Sequence, residues 1–152
     1  MVILLNSFKR LIIEQYSNVT IKQLKLNFME KKKILIVEDD SVLQKALQEF
    51  LSDEGFEIYS ALDGEEGVQM GKDKKPDLIL LDIILPKKDG YETLKELKAD
   101  ESTKKIPVVL LTNLGSLNDV EKALALGATT YLIKADYKLE EVSNKIKEIL
   151  KI

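Results

Sequence analysis

Lys33-Ile34-Leu35-Ile36-Val37-Glu38-Asp39-Asp40 is a short apolar run that breaks off into three acids. Its four central residues leave neither face polar, so a strand made from them is buried on both sides, as in a parallel sheet covered by helices. Runs of the same kind recur at Glu57–Ser60, Leu78–Leu81, Val108–Leu111 and Thr130–Ile133. Segments of helical period separate them. In the first, Val42, Leu43, Ala46, Leu47, Phe50 and Leu51 share a face, Gln44, Lys45, Gln48 and Glu49 point outward, and Gly55 supplies a left-handed stop. The second opens at Asp63-Gly64-Glu65-Glu66, where Asp63 caps and Glu66 reaches back, and closes at Lys74-Lys75-Pro76. The third starts near Asp89-Gly90 and carries Leu94 and Leu97. The fourth runs from Ser116 to a stop at Gly127, and the fifth, Leu139 to Leu150, carries Val142, Ile146, Ile149 and Leu150 on one stripe.

Five strands alternating with five helices predict an α/β fold with right-handed crossovers. Five units cannot close an eight-stranded barrel, so we expect an open, doubly wound parallel sheet in the order 2-1-3-4-5. The crevice of such a sheet lies beyond the carboxyl ends of its strands, where the order reverses. The residues there are Glu38, Asp39 and Asp40 after the first strand, Asp82 after the third, Thr112 and Asn113 after the fourth, and Lys134 after the fifth, which also carries Tyr131.

Three carboxylates in one crevice repel: two at about 4 Å do so by roughly 4 kcal/mol at an effective dielectric of 20. Left alone, one of them takes a raised pKa. A magnesium ion and a lysine ammonium together would neutralise Glu38, Asp39 and Asp82, and magnesium favours carboxylates, water and phosphate oxygens. Each residue also has a bland reading. Asp40 before Ser41 is most simply a helix N-cap, Asp82 a strand-end residue, Thr112 a β-branched terminus, Lys134 a solvated charge and Tyr131 a half-buried aromatic.

Composition narrows the chemistry. Among 152 residues there is no cysteine and no histidine, which excludes disulfides, thiolate zinc sites and imidazole catalysis. The net charge of -3 and pI of about 5.2 match nucleic acid poorly. No apolar run is long enough for a membrane span, and no secretory signal is evident, so a cytoplasmic location is expected.

Together, Lys33–Asp40, Pro76–Pro86, Asp89-Gly90, Ile106–Thr112 and Gly127-Ala128 through Tyr131–Lys134 resemble the receiver domain of the response regulators of two-component signalling. The resemblance covers almost everything after Met29. It implies that Asp82 is the phosphoacceptor, and that Glu38, Asp39, Asp82 and the backbone carbonyl of Ile84 hold Mg2+ or Mn2+. It also implies that Lys134 contacts the phosphoryl oxygens, that Thr112 moves to hydrogen-bond them, and that Tyr131 changes rotamer as the loop closes. The expected donor is a sensor histidine kinase or phosphotransfer protein. The expected output is an unidentified protein at the face of the fourth helix, fifth strand and fifth helix, with no attached output domain.

The chain departs from the family at three places. Ala135 replaces the usual proline after Lys134, and a trans bond is expected there. Asn113 stands at a position that is usually small. Ile84 and Leu114 are apolar where the family tunes attack by water, which predicts slow phosphoryl loss. A phosphorylation-independent interaction module of the same fold is the alternative function. A magnesium-dependent phosphohydrolase is a third, disfavoured because no second acid lies two residues after Asp82.

Residues 1–28 fall outside the resemblance, with domain boundaries expected at 1–28 and 29–152. Lys9, Arg10, Lys22 and Lys25 against Glu14 make the first stretch basic, and Val2, Leu5, Phe8, Ile12 and Tyr16 could share a helical face. Its readings are an upstream stretch before a true start at Met29, a disordered extension, a docking helix, or a basic segment at a membrane surface.

Overall fold

The computed structural model describes residues 30–113 and 116–152. The readings made for residues 1–28 and for Leu114 lie outside the described residues. From the first acid-ended run onward the chain alternates strand and helix without interruption. The elements are β1 (Lys33–Val37), α1 (Ser41–Asp53), β2 (Glu57–Ala61), α2 (Gly64–Lys74), β3 (Leu78–Asp82), α3 (Gly90–Ala99), β4 (Val108–Thr112), α4 (Leu117–Ala125), β5 (Thr130–Ile133) and α5 (Leu139–Leu150). All four pairings are parallel and the order is β2-β1-β3-β4-β5.

Alternation along each strand divides the interior in two. Leu35, Val37, Ile79, Leu81, Val108 and Leu110 point to one face, where Val68 of α2, Leu94 and Leu97 of α3 and Ala123 of α4 cover them. Ile34, Ile36, Leu78, Leu80, Val109 and Leu111 point to the other, beneath Leu47 and Leu51 of α1 and Val142 and Ile146 of α5. Full burial on both faces holds for β3 and β4 and nearly so for β1. The residues of β5 and most of β2 are only half-buried, because these strands form the sheet edges.

Helix starts follow the short polar side chains. Asp40 accepts from the N–H groups of Val42 and Leu43, Asp63 from Glu66, Asp89 from Glu92 and Ser116 from Asp119. Glu66 does reach back, but to the N–H of Leu62, at 2.9 Å. Gly55 and Gly127 take the positive φ expected of stops, at 96° and 99°. Two outward–inward assignments on α1 are corrected. Val42 is 78% exposed, while Leu43 beside it packs against the core under α1. Gln44 is half-buried, since its amide nitrogen donates to the carbonyls of Glu38 and Ala61, at 3.0 Å each, and ties the ends of β1 and β2 together.

Candidate functional site

Register sets the site. Val37 lies beside Leu81, Asp82 beside Leu111 and Thr112 beside Ile133, so the carboxyl ends of the four strands are level. The first residue past β1 is Glu38, the last of β3 is Asp82, the last of β4 is Thr112 and the first past β5 is Lys134. All four reach one crevice edge without any long-range excursion of the chain.

Within it, Lys134 Nζ lies 2.7 Å from Asp82 Oδ2 and 2.6 Å from Glu38 Oε2. Glu38 is fully buried and Asp82 and Thr112 nearly so, whereas Asp39 is exposed at the mouth. Oxygens of Glu38, Asp39 and Asp82 all lie within 4.8 Å of one another. The other Glu38 oxygen accepts from the Asp40 N–H at 3.0 Å, and Asp82 Oδ1 accepts from the Ile84 N–H at 3.3 Å. Lys134 is itself fixed from behind: its N–H donates to the Thr112 carbonyl at 2.8 Å.

The electrostatics are those of crowded acids. Burial raises the pKa of Glu38, and the neighbouring Asp82 adds to it, against the opposing hydrogen bonds from Lys134 and Asp40. Burial works against the charge of Lys134, but its bonds to Asp82 and Glu38 outweigh burial and its pKa is raised. One ammonium among three carboxylates leaves a negative crevice. Glu38 Oε2 pairs with the Lys134 ammonium at 2.6 Å. A hard divalent cation suits this donor set.

A response regulator receiver domain matches residues 34–147. The chain belongs to the response regulator receiver family. The receiver fold is also seen in a two-component response regulator from Clostridium difficile, 34% identical, which matches 80% of this chain and 97% of its own with a TM-score of 0.74. The receiver domain of the sensor histidine kinase PA1611 from Pseudomonas aeruginosa has a magnesium ion coordinated in its active-site cleft. It is 30% identical, with coverage of 78% and 97% and a TM-score of 0.72. The DNA-binding dual master transcriptional regulator RpaA of Synechocystis is 35% identical over 119 residues, 78% of this chain and 49% of its own. The chain spans about half the length of the curated relatives it matches.

The remaining predicted positions fall as follows. Asp40 caps α1, the structural role its sequence context suggested. Ile84 exposes its side chain (61%) beside Asp82. Tyr131 is half-buried on β5 and packs against the core beneath α2, α3 and α4. Asn113 and Ala135 are exposed, and the Lys134–Ala135 bond is trans. Two residues near the crevice escaped the sequence reading. Gln44 was masked by its polar position on a helix face. Tyr137, three residues past Lys134 in the β5–α5 turn, buries its hydroxyl; an aromatic there gives no period-based signal. No helix among the described residues is long and apolar enough to cross a membrane.

Proposed function

We propose that this receiver accepts a phosphoryl group on Asp82 from a phosphohistidine of a separate kinase or phosphotransfer protein. A carboxylate oxygen of Asp82 attacks phosphorus, the P–N bond of the donor breaks, and the imidazole leaves with its electron pair. The observation that carries this reading is Lys134 Nζ at 2.7 Å from Asp82 and 2.6 Å from Glu38, at the edge where the strand order reverses. Lys134 moves from carboxylate to phosphoryl oxygens as charge develops on them. Glu38, Asp39 and Asp82 would hold Mg2+ or Mn2+, with the Ile84 carbonyl as a further ligand, and a cation held there would supply positive charge against the transferring oxygens. Thr112 donates its hydroxyl to the phosphoryl group, the loop after β4 follows, and Tyr131 turns into the space beside α4.

Output then passes to a partner protein at the α4–β5–α5 face, where Leu117 and Leu124 are exposed at 80% and 47%. Signalling independent of phosphate is the second reading, supported by Ala135 and Asn113. Lys134 nevertheless reaches both carboxylates through a trans bond, which favours the first. Intact mass after incubation with acetyl phosphate and magnesium tests it, native chain against Asp82→Ala. A phosphoryl adduct on the native chain alone is expected. No adduct with either acetyl phosphate or a phosphohistidine donor would favour the phosphate-independent module.

A further inference from the structure

Three non-glycine residues among those described take a positive φ. Lys75 and Lys151 do so just past the ends of α2 and α5, where a left-handed stop is ordinary. Lys87, at 64°, stands in neither place. It is the middle residue of a tight turn in the loop between β3 and α3, closed by the Lys88 N–H donating to the Pro86 carbonyl at 2.8 Å. A three-residue turn with positive φ at its centre is strained, and such strain persists only where the surroundings hold it.

What holds it comes from another part of the chain. Lys87 Nζ lies 2.7 Å from Asp63 Oδ2. Asp63 is buried and fixed, because its other oxygen accepts from the Glu66 N–H at 2.8 Å and caps α2. The next residue, Gly64, meets the same loop: a Cβ there would lie 2.2 Å from the Lys88 carbonyl oxygen and 2.3 Å from Thr93 Oγ1. The first turn of α2 is thus a platform on which the loop rests, and the ion pair ties down its middle. The Lys87 side chain is 60% exposed, so the pair adds little to global stability. Its effect falls on the loop.

That loop leads back to the crevice. The Ile84 carbonyl belongs to the peptide joining Ile84 to Leu85. Pro86 has a fixed φ and restricts Leu85 before it, so the links between Lys87 and Ile84 are stiff. A turn released at Lys87 shifts the Ile84 carbonyl rather than being absorbed on the way. We propose that Asp63 and Lys87 are positioning residues of the cation site, their ion pair holding the turn that sets the Ile84 carbonyl for a divalent cation. The inference rests on the cation site proposed above.

Calorimetric titration of the full chain with magnesium tests it on Asp63→Asn and Lys87→Met. Asparagine caps a helix as well as aspartate does, so α2 keeps its start. As charge changes alone, the two act oppositely: losing Asp63 weakens cation binding, and losing Lys87 strengthens it. As a broken clamp, both weaken it, by about fivefold each, because the cation must then order the turn itself. Lys87→Arg keeps the pair and should retain the native affinity. In the metal-free protein the Lys88 and Gly90 amides, whose bonds to Pro86 and Ile83 close the loop, should exchange faster in the Asn and Met variants. Affinities that move in opposite directions overturn the proposal, as do native amide protection in both variants or an Arg variant as weak as Met. A native chain that takes up no magnesium removes the cation reading and the proposal with it. Unchanged affinity in variants of a chain that does bind removes the proposal alone.

Discussion

Gly90 carries more of the site than its size suggests. A Cβ built on it would lie 2.2 Å from the Asp82 carbonyl oxygen and 2.5 Å from Ile83 Cα, both backbone atoms that cannot swing aside. Its N–H donates to the Ile83 carbonyl at 2.7 Å, closing the loop that follows Asp82. Gly90→Ala must push the end of β3 and the start of α3 apart. We expect about 1–3 kcal/mol of destabilisation by urea unfolding and a slower acetyl-phosphate reaction in the fraction that folds. We expect Ile84 to govern the opposite event, loss of the phosphoryl group. Its exposed aliphatic side chain beside Asp82 offers water no hydrogen bond, so Ile84→Gln should shorten the phosphoryl lifetime several-fold, followed by mass or radiolabel decay. An unchanged or longer lifetime would show that Ile84 does not set it; loss from the native chain within seconds would remove the expectation of slow decay.

At the level of elements, ion pairs between helices give the pH dependence a sign. Glu54, which ends α1, accepts from Lys147 of α5 at 2.5 Å and from Ser143 at 3.1 Å, and these bonds hold its pKa below the ordinary value of 4.5. The folded state therefore binds this proton less readily than the unfolded chain. The contribution is present above the unfolded pKa and vanishes as pH falls through the lower, folded one. Glu54→Gln should be less stable than the native chain near neutral pH, with the gap closing as pH falls through the lowered folded-state pKa; a gap independent of pH would mean that packing, not charge, is lost. Elements were also the most legible feature of the sequence. Apolar runs fixed the strands to within a residue, and Asp40, Asp63, Asp89 and Ser116 marked the helix starts, because caps and alternation are local. Val42 and Gln44 were misjudged for a non-local reason: helical periodicity tells neither that Val42 is left uncovered nor that the carbonyls of Glu38 and Ala61 at the strand ends take the Gln44 amide. The crevice residues were legible from the level register of parallel strands. Tyr137 was not, since nothing local tells which way a turn residue points.

For the molecule as a whole, the balance of charge at one sheet edge links cation binding to folding. Glu38 and Asp82 share Lys134, while Asp39 adds a third carboxylate oxygen within 4.8 Å at the exposed mouth. Without a cation, Asp39 contributes repulsion to the native state that the unfolded chain does not feel. Asp39→Asn should therefore leave the metal-free protein as stable as the native chain or more so. Magnesium reverses the ranking. A ligand that binds only the folded state adds RT ln(1 + [L]/Kd), about 2.7 kcal/mol at a hundredfold excess over Kd. The native chain should rise in melting temperature with magnesium, and the Asp39→Asn variant should lose most of that rise. Sodium chloride at matched ionic strength separates binding from screening, because exposed charges are screened by any salt whereas coordination needs the divalent ion. Equal magnesium shifts in both proteins would place the cation away from Asp39; equal shifts from sodium and magnesium would reduce the effect to screening.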